Sequence, residues 1–266
     1  MTTANFAIPK GVLRAEWLKL RSVRSTYAAL GLAMALAVFV GVTSASGDAQ
    51  HWATMTPADR ANFDPVGDSL SGFVFGELAL GALGVLVATS EYATGLIRAT
   101  FTAVPRRGQV FAAKALTLAG LTLVVGQVFV FICYGLGQAA LTASSAHLAV
   151  GLGHPGVLRA LICANLYLTA VTLIGFGLGT LVRHTGAGIA LVFTVTYLAY
   201  PVAGAFNAWT YVPDRWLLSN IADTLASVSR HPSPKDPGSL SAALAELAIY
   251  LAVVLGLGAW RMRKDA

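Results

Sequence analysis

Charged residues are scarce in this sequence. Asp, Glu, Lys and Arg make up only 11% of its 266 residues, whereas soluble domains carry roughly 25%. Hydrophobic residues account for 56%, and the mean hydropathy is +0.69. A water-facing fold of this size cannot bury so much apolar surface. The composition therefore excludes an ordinary soluble domain and predicts an integral membrane protein in contact with lipids.

The sequence also lacks the motifs of several enzyme classes. It has no G-x-x-x-x-G-K-[ST] phosphate loop, no H-E-x-x-H pair and no G-x-S-x-G elbow. Its two cysteines and five histidines show no spacing typical of a metal site. We therefore expect no catalytic residue, no metal and no cofactor in this chain.

Six apolar stretches are long enough to cross the hydrocarbon core, which takes about 20 helical residues. Helices are predicted because the stretches are about twice the length of a barrel strand and show no period-two alternation. No connection is long enough for a second domain, so residues 1–266 are predicted to form one transmembrane domain. The predicted spans are Tyr27–Ser44, Leu70–Ser90, Val110–Leu136, Ala160–Val182, Gly186–Phe206 and Leu240–Trp260.

Basic residues are distributed unevenly among the connections. If the N-terminus is cytoplasmic, 13 of the 18 Lys and Arg residues fall in cytoplasmic segments, while most aspartates fall outside. This positive-inside bias predicts that both termini are cytoplasmic and that the protein lies in the cell membrane. The net charge of +6 then reflects topology, and no nucleic-acid partner is expected.

The segment before the first span, residues 1–24, has a helical pattern. Leu13, Trp17 and Leu20 recur at i, i+4 and i+7, and Arg14 lies on a neighbouring face. This pattern predicts an amphipathic helix in the cytoplasmic interface. A cleavable signal peptide is the alternative, but the basic segment is too long for one.

Two carboxylates fall within the predicted spans. Glu77 and Glu246 each lie about two turns from the outer side, and a charge near the bilayer centre costs roughly 2.5–3.5 kcal/mol. They either line a substrate path, in contact with a cationic group, or join helices as hydrogen-bonded carboxyls. Gln127 and Asn165 are further candidates for the path, although interhelical hydrogen bonds explain them well.

The first inner loop, residues 91–109, combines apolar and basic side chains. Ile97, Phe101 and Val104 fall on one face of a short helix, next to Arg98. Such a helix at the cytoplasmic surface suits docking into the groove of a soluble partner. The alternative is a basic loop that only follows the positive-inside rule.

Two motifs resemble those of type-2 ABC exporter permeases, the membrane subunits of ATP-binding cassette transporters. The inner-loop motif is Glu91-x-x-x-Gly95-x-x-Arg98, followed by Pro105-Arg106-Arg107 and Lys114. The N-terminal motif, Glu16-Trp17-Leu18-Lys19-Leu20-Arg21-Ser22, looks like the start of actinobacterial members. The six-span layout with a long outer segment before the last span is also similar.

The resemblance implies an elbow helix in residues 1–24, six spans and a coupling helix at Thr94–Ala103. It implies a dimer with a second copy or a paralogue, each half resting on an ATPase subunit that binds ATP and Mg. In the outer segment, residues 207–239, short re-entrant helices are expected at Pro213–Leu217 and Ser219–Val228. The residues that would couple to the ATPase are Glu91, Gly95, Arg98, Phe101, Pro105, Arg106 and Arg107.

The missing phosphate loop agrees with this resemblance, because such a permease depends on a partner for ATP. The chain is predicted to be a transport subunit, not an enzyme, that forms the translocation path and alternates access under ATPase control. The alternative is a secondary transporter or channel in which Glu77 and Glu246 carry protons or cations. An intramembrane enzyme would need a nucleophile, base or metal constellation that the sequence does not show.

Overall fold

The predicted all-α class is confirmed by a computed structural model. The structure describes residues 10–22, 24–96, 102, 107–143, 148–199, 202, 212–228 and 237–264. Within these ranges the regular structure is helical, with no β-strand. The helices are α1 Lys10–Ser22, α2 Arg24–His51, α3 Pro57–Ala61, α4 Pro65–Ser69, α5 Phe73–Ala93, α6 Arg107–Thr142, α7 Val157–Val182, α8 Thr185–Phe193, α9 Val212–Arg215, α10 Leu218–Ala226 and α11 Leu240–Arg263.

Five of the described helices, α2, α5, α6, α7 and α11, are long and apolar enough to cross a membrane. Large apolar side chains such as Phe39 and Val124 are exposed on their surfaces, as expected where lipid replaces water. The chain is therefore a membrane-embedded, multi-pass helical protein. The predicted span Gly186–Phe206 begins in α8 and in a π-helical turn, Thr194–Leu198. Because residues 200, 201 and 203–211 lie outside the described ranges, the count of six spans stays a prediction.

Two membrane helices are longer than the apolar stretches that predicted them. Helix α2 runs seven residues and α6 six residues past the predicted ends. The extra turns contain small or polar residues, yet they pack together: Ala45 and Ala49 of α2 and Leu141 of α6 form a small core. Tertiary packing thus continues these helices where hydropathy no longer requires them.

Helix α7 occupies the centre of the bundle. It packs against α5, α6, α8, α10 and α11. Its approach to α5 depends on glycine, since a Cβ atom on Gly84 would lie 1.9 Å from the Thr172 carbonyl oxygen. A Cβ atom on Gly175 would likewise lie 2.3 Å from the Gly81 carbonyl oxygen. Small residues let the two backbones approach closely, as membrane helices require.

The bundle has two chemically distinct ends. We call one the basic end; it contains α1, the last turns of α5, α7 and α11, and the first turn of α6. There the Arg183 guanidinium lies 5.3 Å from the centre of the Tyr92 ring, and Arg263 approaches Gly108. The other, the acidic end, contains α3, α4, α9 and α10. Its aspartates are Asp59, Asp64, Asp68, Asp214 and Asp223.

The long segment before α11 contributes two of the short helices of the acidic end. Helices α9 and α10 overlap the segments Pro213–Leu217 and Ser219–Val228, where short helices were expected. Leu218, Ile221 and Leu225 of α10 are buried in the same core as the middle of α7. This packing holds α10 against the bundle, next to the start of α5.

The close contact between α5 and α7 makes a direct prediction. Gly84→Ala should lower the free energy of unfolding by about 1–3 kcal/mol, because its methyl group would collide with backbone rather than with a movable side chain. Gly120→Ala is the matched control, since nothing lies within 4 Å of a Cβ atom there. It should be neutral or stabilising by up to about 1 kcal/mol. Titration of both variants with a denaturing detergent, followed by tryptophan fluorescence, measures the difference; equal effects would contradict the packing.

Candidate functional site

Four charged side chains meet at the basic end and form what we call the ion network. Lys114 Nζ of α6 lies 2.7 Å from Glu16 Oε2 of α1 and 2.6 Å from Glu91 Oε1 of α5. Lys19 Nζ of α1 lies 2.9 Å from Glu16 Oε1 and 2.6 Å from the same Glu91 oxygen. Each lysine therefore bridges both carboxylates, and three helices are joined at one point.

Burial makes this network unlike an ordinary surface ion pair. Glu16, Glu91 and Lys114 are buried, whereas the Lys19 side chain is 46% exposed. The two ammonium groups balance the two carboxylates, so the cluster carries no net charge. Removing one partner of a buried pair typically costs about 3–5 kcal/mol, because the remaining charge is left uncompensated. Lys114 should therefore matter more than Lys19.

Proton binding does not disturb the network near neutral pH. Burial opposes the charge of Lys19, but hydrogen bonds to Glu91 and Glu16 and the attraction of both carboxylates raise its pKa above 10.5. A lysine with a raised pKa in the folded state contributes stability that is fully present below its unfolded pKa. That contribution is lost only as the pH rises through the folded pKa. The contacts of Lys19 should hold throughout the physiological range.

The network joins the two motifs that the sequence singled out. Glu91 lies in the last turn of α5, which ends with Thr94 as its C-cap and Gly95 at φ +72°. A left-handed glycine after the C-cap is a common helix stop, so Gly95 turns the chain into the inner loop. Arg107 begins α6. The other expected coupling residues, Arg98, Phe101, Pro105 and Arg106, lie outside the described residues.

A second site, which we call the acidic pocket, opens at the other end of the bundle. It is a cavity of about 490 Å³ between the α4–α5 segment, the π-helical turn and α10. Among the described residues, its lining contains three carboxylates and no Lys, Arg or His. The lining residues are Asn62, Asp64, Gly67, Leu70, Ser71, Phe73, Val74, Glu77, Tyr197, Ser219, Ala222, Asp223, Ala226 and Ser227.

Glu77 is the most deeply buried carboxylate of the pocket. Because α5 begins at Phe73, Glu77 lies about one turn into the helix rather than the two turns expected from the sequence. Tyr167 of α7 donates a hydrogen bond to Oε1, and Tyr197 donates to Oε2 over 2.6 Å. Two tyrosine hydroxyls thus satisfy both oxygens of one buried carboxylate. Phe73 stacks on Tyr167 with ring centres 6.3 Å apart.

The position of Tyr197 depends on the π-helical turn. The Ala199 N–H donates to the Thr194 carbonyl, five residues back, instead of four as in an α-helix. The wider turn changes the direction of the side chains that follow α8. Tyr197 then reaches both Glu77 and the Val74 carbonyl, the latter at 3.4 Å. Single π turns of this kind occur often at functional sites.

The aspartates around the pocket have different roles. Asp64 caps α4 by accepting from Val66 N and Gly67 N, and its other oxygen accepts from Val228 N over 2.7 Å. It therefore fixes the end of α10 against α4. Burial, together with a hydrogen bond and charge repulsion from Asp48 and the charge of Asp64, raises the pKa of Asp68 to about 7. Negative charge is thus crowded at this end of the molecule.

The other polar residues predicted for a substrate path lie elsewhere. Asn165 donates to the Leu123 carbonyl over 2.8 Å and to Gln127 Oε1 over 3.1 Å, and so bridges α7 to α6. Glu246 is buried in α11, where the positive charge of Arg215 acts on it. None of these side chains lines the described part of the acidic pocket. Only Glu77, of the four predicted residues, faces a cavity of substrate size.

Sequence reasoning missed the partners of Glu77. Tyr167 and Tyr197 were not singled out, although a tyrosine hydroxyl inside a membrane span needs a hydrogen-bond partner. Ser219 was also missed, and its buried Oγ makes no hydrogen bond within the described structure. A search for carboxyl and phenol groups at similar depth would have suggested the first contact, but not which helices meet.

The ion network predicts unequal effects for its two lysines. Lys114→Met should lower the free energy of unfolding by about 3–5 kcal/mol, because it leaves two buried carboxylates with one half-exposed partner. Lys19→Met should cost about 1 kcal/mol or less, as for exposed ion pairs. The two variants remove the same group from the same two carboxylates, so each is the control for the other. Equal losses in a denaturing-detergent titration would contradict the role assigned to burial.

Comparisons with known proteins do not name either site. No protein-family model matches this chain, and no curated protein matches it. The chemistry of the ion network and of the acidic pocket, together with the sequence motifs of the inner loop, therefore supports the functional proposal.

Proposed function

We propose that this chain is the membrane-spanning permease subunit of an ATP-driven exporter of the ABC type. In this proposal a separate ATPase subunit binds ATP and Mg, and the permease forms the translocation path. The permease pairs with a second copy or a paralogue in the cell membrane and itself catalyses no reaction. The inner-loop and N-terminal motifs and the absence of a phosphate loop support the assignment.

The observation that carries the proposal is the ion network. Glu91 and Lys114 flank the inner loop on its two sides, and both contact Glu16 or Lys19 of α1. A force applied to the loop would therefore move the end of α5, the start of α6 and α1 together. An ATPase that closes on ATP could use this unit to shift the permease between inward- and outward-facing states.

The proposed orientation follows from the charges at the two ends. The basic end carries α1, Arg183 and the Arg261–Lys264 segment, and it faces the cytoplasm in this proposal. The acidic pocket then opens toward the outer side. The full permease has six spans, of which α8 and the π-helical turn begin the fifth. An exporter needs both openings, one for loading and one for release.

The alternative is a secondary transporter or channel in which Glu77 and Glu246 carry protons or cations. The buried Glu77 and its two tyrosines favour it to some extent, since intramembrane carboxylates occur in proton relays. Glu246 does not line the same described pocket, however. The two proposals differ in their energy source. Transport in proteoliposomes driven by an ion gradient alone would favour the secondary transporter.

The exporter proposal predicts that the inner loop docks onto an ATPase. Phe101→Ala should weaken association with a candidate ATP-binding cassette subunit about 30-fold, or about 2 kcal/mol, as expected for loss of an aromatic anchor. Arg98→Glu should weaken it in a salt-dependent manner. Co-purification and stimulation of ATP hydrolysis by the purified permease measure both effects.

The control for this experiment is Phe39→Ala, which removes the same ring from an exposed position within α2. It should leave association and ATP hydrolysis unchanged, while the amounts of folded protein should match for all variants. If the Phe101 and Arg98 variants bind and stimulate the ATPase like the parent, the loop is only a charged tether.

A further inference from the structure

The acidic pocket combines a buried negative charge with an apolar wall. Glu77 is only 6% exposed, and both tyrosine hydroxyls that contact it act as donors. This pattern suits an ionised carboxylate, which accepts hydrogen bonds at both oxygens. Asp223, in the same lining, adds a second negative charge that acts on Glu77. Donated hydrogen bonds spread this charge but do not neutralise it.

The described surroundings provide no cation to balance Glu77. Arg159 is bound to the carbonyl of the lining residue Ser227 over 2.7 Å, but it does not itself line the pocket. The described residues also contain no group of three side chains that could hold a metal ion. An uncompensated buried carboxylate beside a cavity favours the entry of a positive charge.

The rest of the lining shows which kind of cation would fit. Leu70, Phe73, Val74, Ala222 and Ala226 form an apolar wall next to the carboxylates. The face of an aromatic ring such as Phe73 attracts cationic groups. A cavity of about 490 Å³ is within the usual range for small organic ligands. An inorganic ion would leave this wall without a partner.

A second polar group in the pocket also lacks a partner. The Oγ atom of Ser219 is buried, lies in the lining and makes no hydrogen bond within the described structure. A buried hydroxyl without a partner is unfavourable by about 1–3 kcal/mol. The N–H group of an ammonium ligand would give this oxygen a donor, while Glu77 supplies the opposite charge.

We propose that the acidic pocket binds an amphipathic organic ammonium ion, with its charged group between Glu77 and Ser219 and its apolar part against Phe73 and α10. The proposal rests on the exporter assignment only where it makes this ammonium ion a transported substrate. The binding site itself requires no ATPase. Tyr167 and Tyr197 hold the Glu77 carboxylate in position for the ligand.

The test uses the purified full-length permease in detergent micelles, without any partner. The probe is dansylcadaverine, an aromatic fluorophore linked to a primary amine, and its N-acetyl derivative has the same body without the charge. The parent protein should bind the amine at least tenfold more tightly than the acetylated form. Glu77→Gln should reduce amine affinity at least tenfold and abolish this preference. Fluorescence titration, corrected with empty micelles, measures each affinity.

Two further variants separate binding from folding. Ala222→Phe fills the pocket without changing its charge, and it should reduce the affinity for both probes. Asp59→Asn removes an exposed carboxylate of the acidic end that is not in the lining, and it should bind like the parent. If Glu77→Gln fails to fold, Ala222→Phe and the comparison of the two probes on the parent still decide the question.

The proposal is overturned if the parent binds both probes equally, or if folded Glu77→Gln and Ala222→Phe bind the amine like the parent. Failure of the exporter assignment gives a different result. A permease that binds the amine through Glu77 but neither associates with nor stimulates an ATPase keeps the pocket and loses the exporter role. Normal ATPase coupling without charge-selective binding does the reverse.

Discussion

The buried contact of Lys114 with two carboxylates joins parts of the chain that are far apart in sequence. Glu16 and Lys114 are 98 residues apart, and Glu91 and Lys114 are 23 residues apart. A lysine ammonium group shielded from water needs opposite charge close by. The requirement brings α1, α5 and α6 to one point, and this point lies where the inner loop leaves the bundle. Any account of motion in the protein must treat the three helices as connected.

The acidic pocket follows the opposite electrostatic rule. In the ion network the charges cancel within the protein, whereas around Glu77 two tyrosines stabilise a carboxylate that no described cation balances. A neutral network is suited to transmitting force, because it gains little from any mobile ligand. A charged pocket is suited to binding, because a ligand of opposite sign completes it. The glycine contacts between α5 and α7 connect the two sites through the same pair of helices.

Much of the fold was predictable, because hydropathy alone predicts where a chain can cross a membrane. Five of the six predicted spans coincide with described membrane helices. Their ends were less predictable, since Ala45 and Ala49 extend α2 by packing and not by hydropathy. The functional partners were least predictable. Tyr167 and Tyr197 lie 90 and 120 residues from Glu77, and no spacing rule reports which helix faces which.

The central claim is that the ion network holds α1 and the flank of the inner loop as one unit. Spin labels at Arg14 and Thr94, both exposed, allow pulsed electron paramagnetic resonance to measure the distance between α1 and the end of α5. In the parent protein in lipid nanodiscs we expect one narrow distance distribution, which Lys114→Met should broaden. A parent distribution as broad as that of Lys114→Met would contradict the claim.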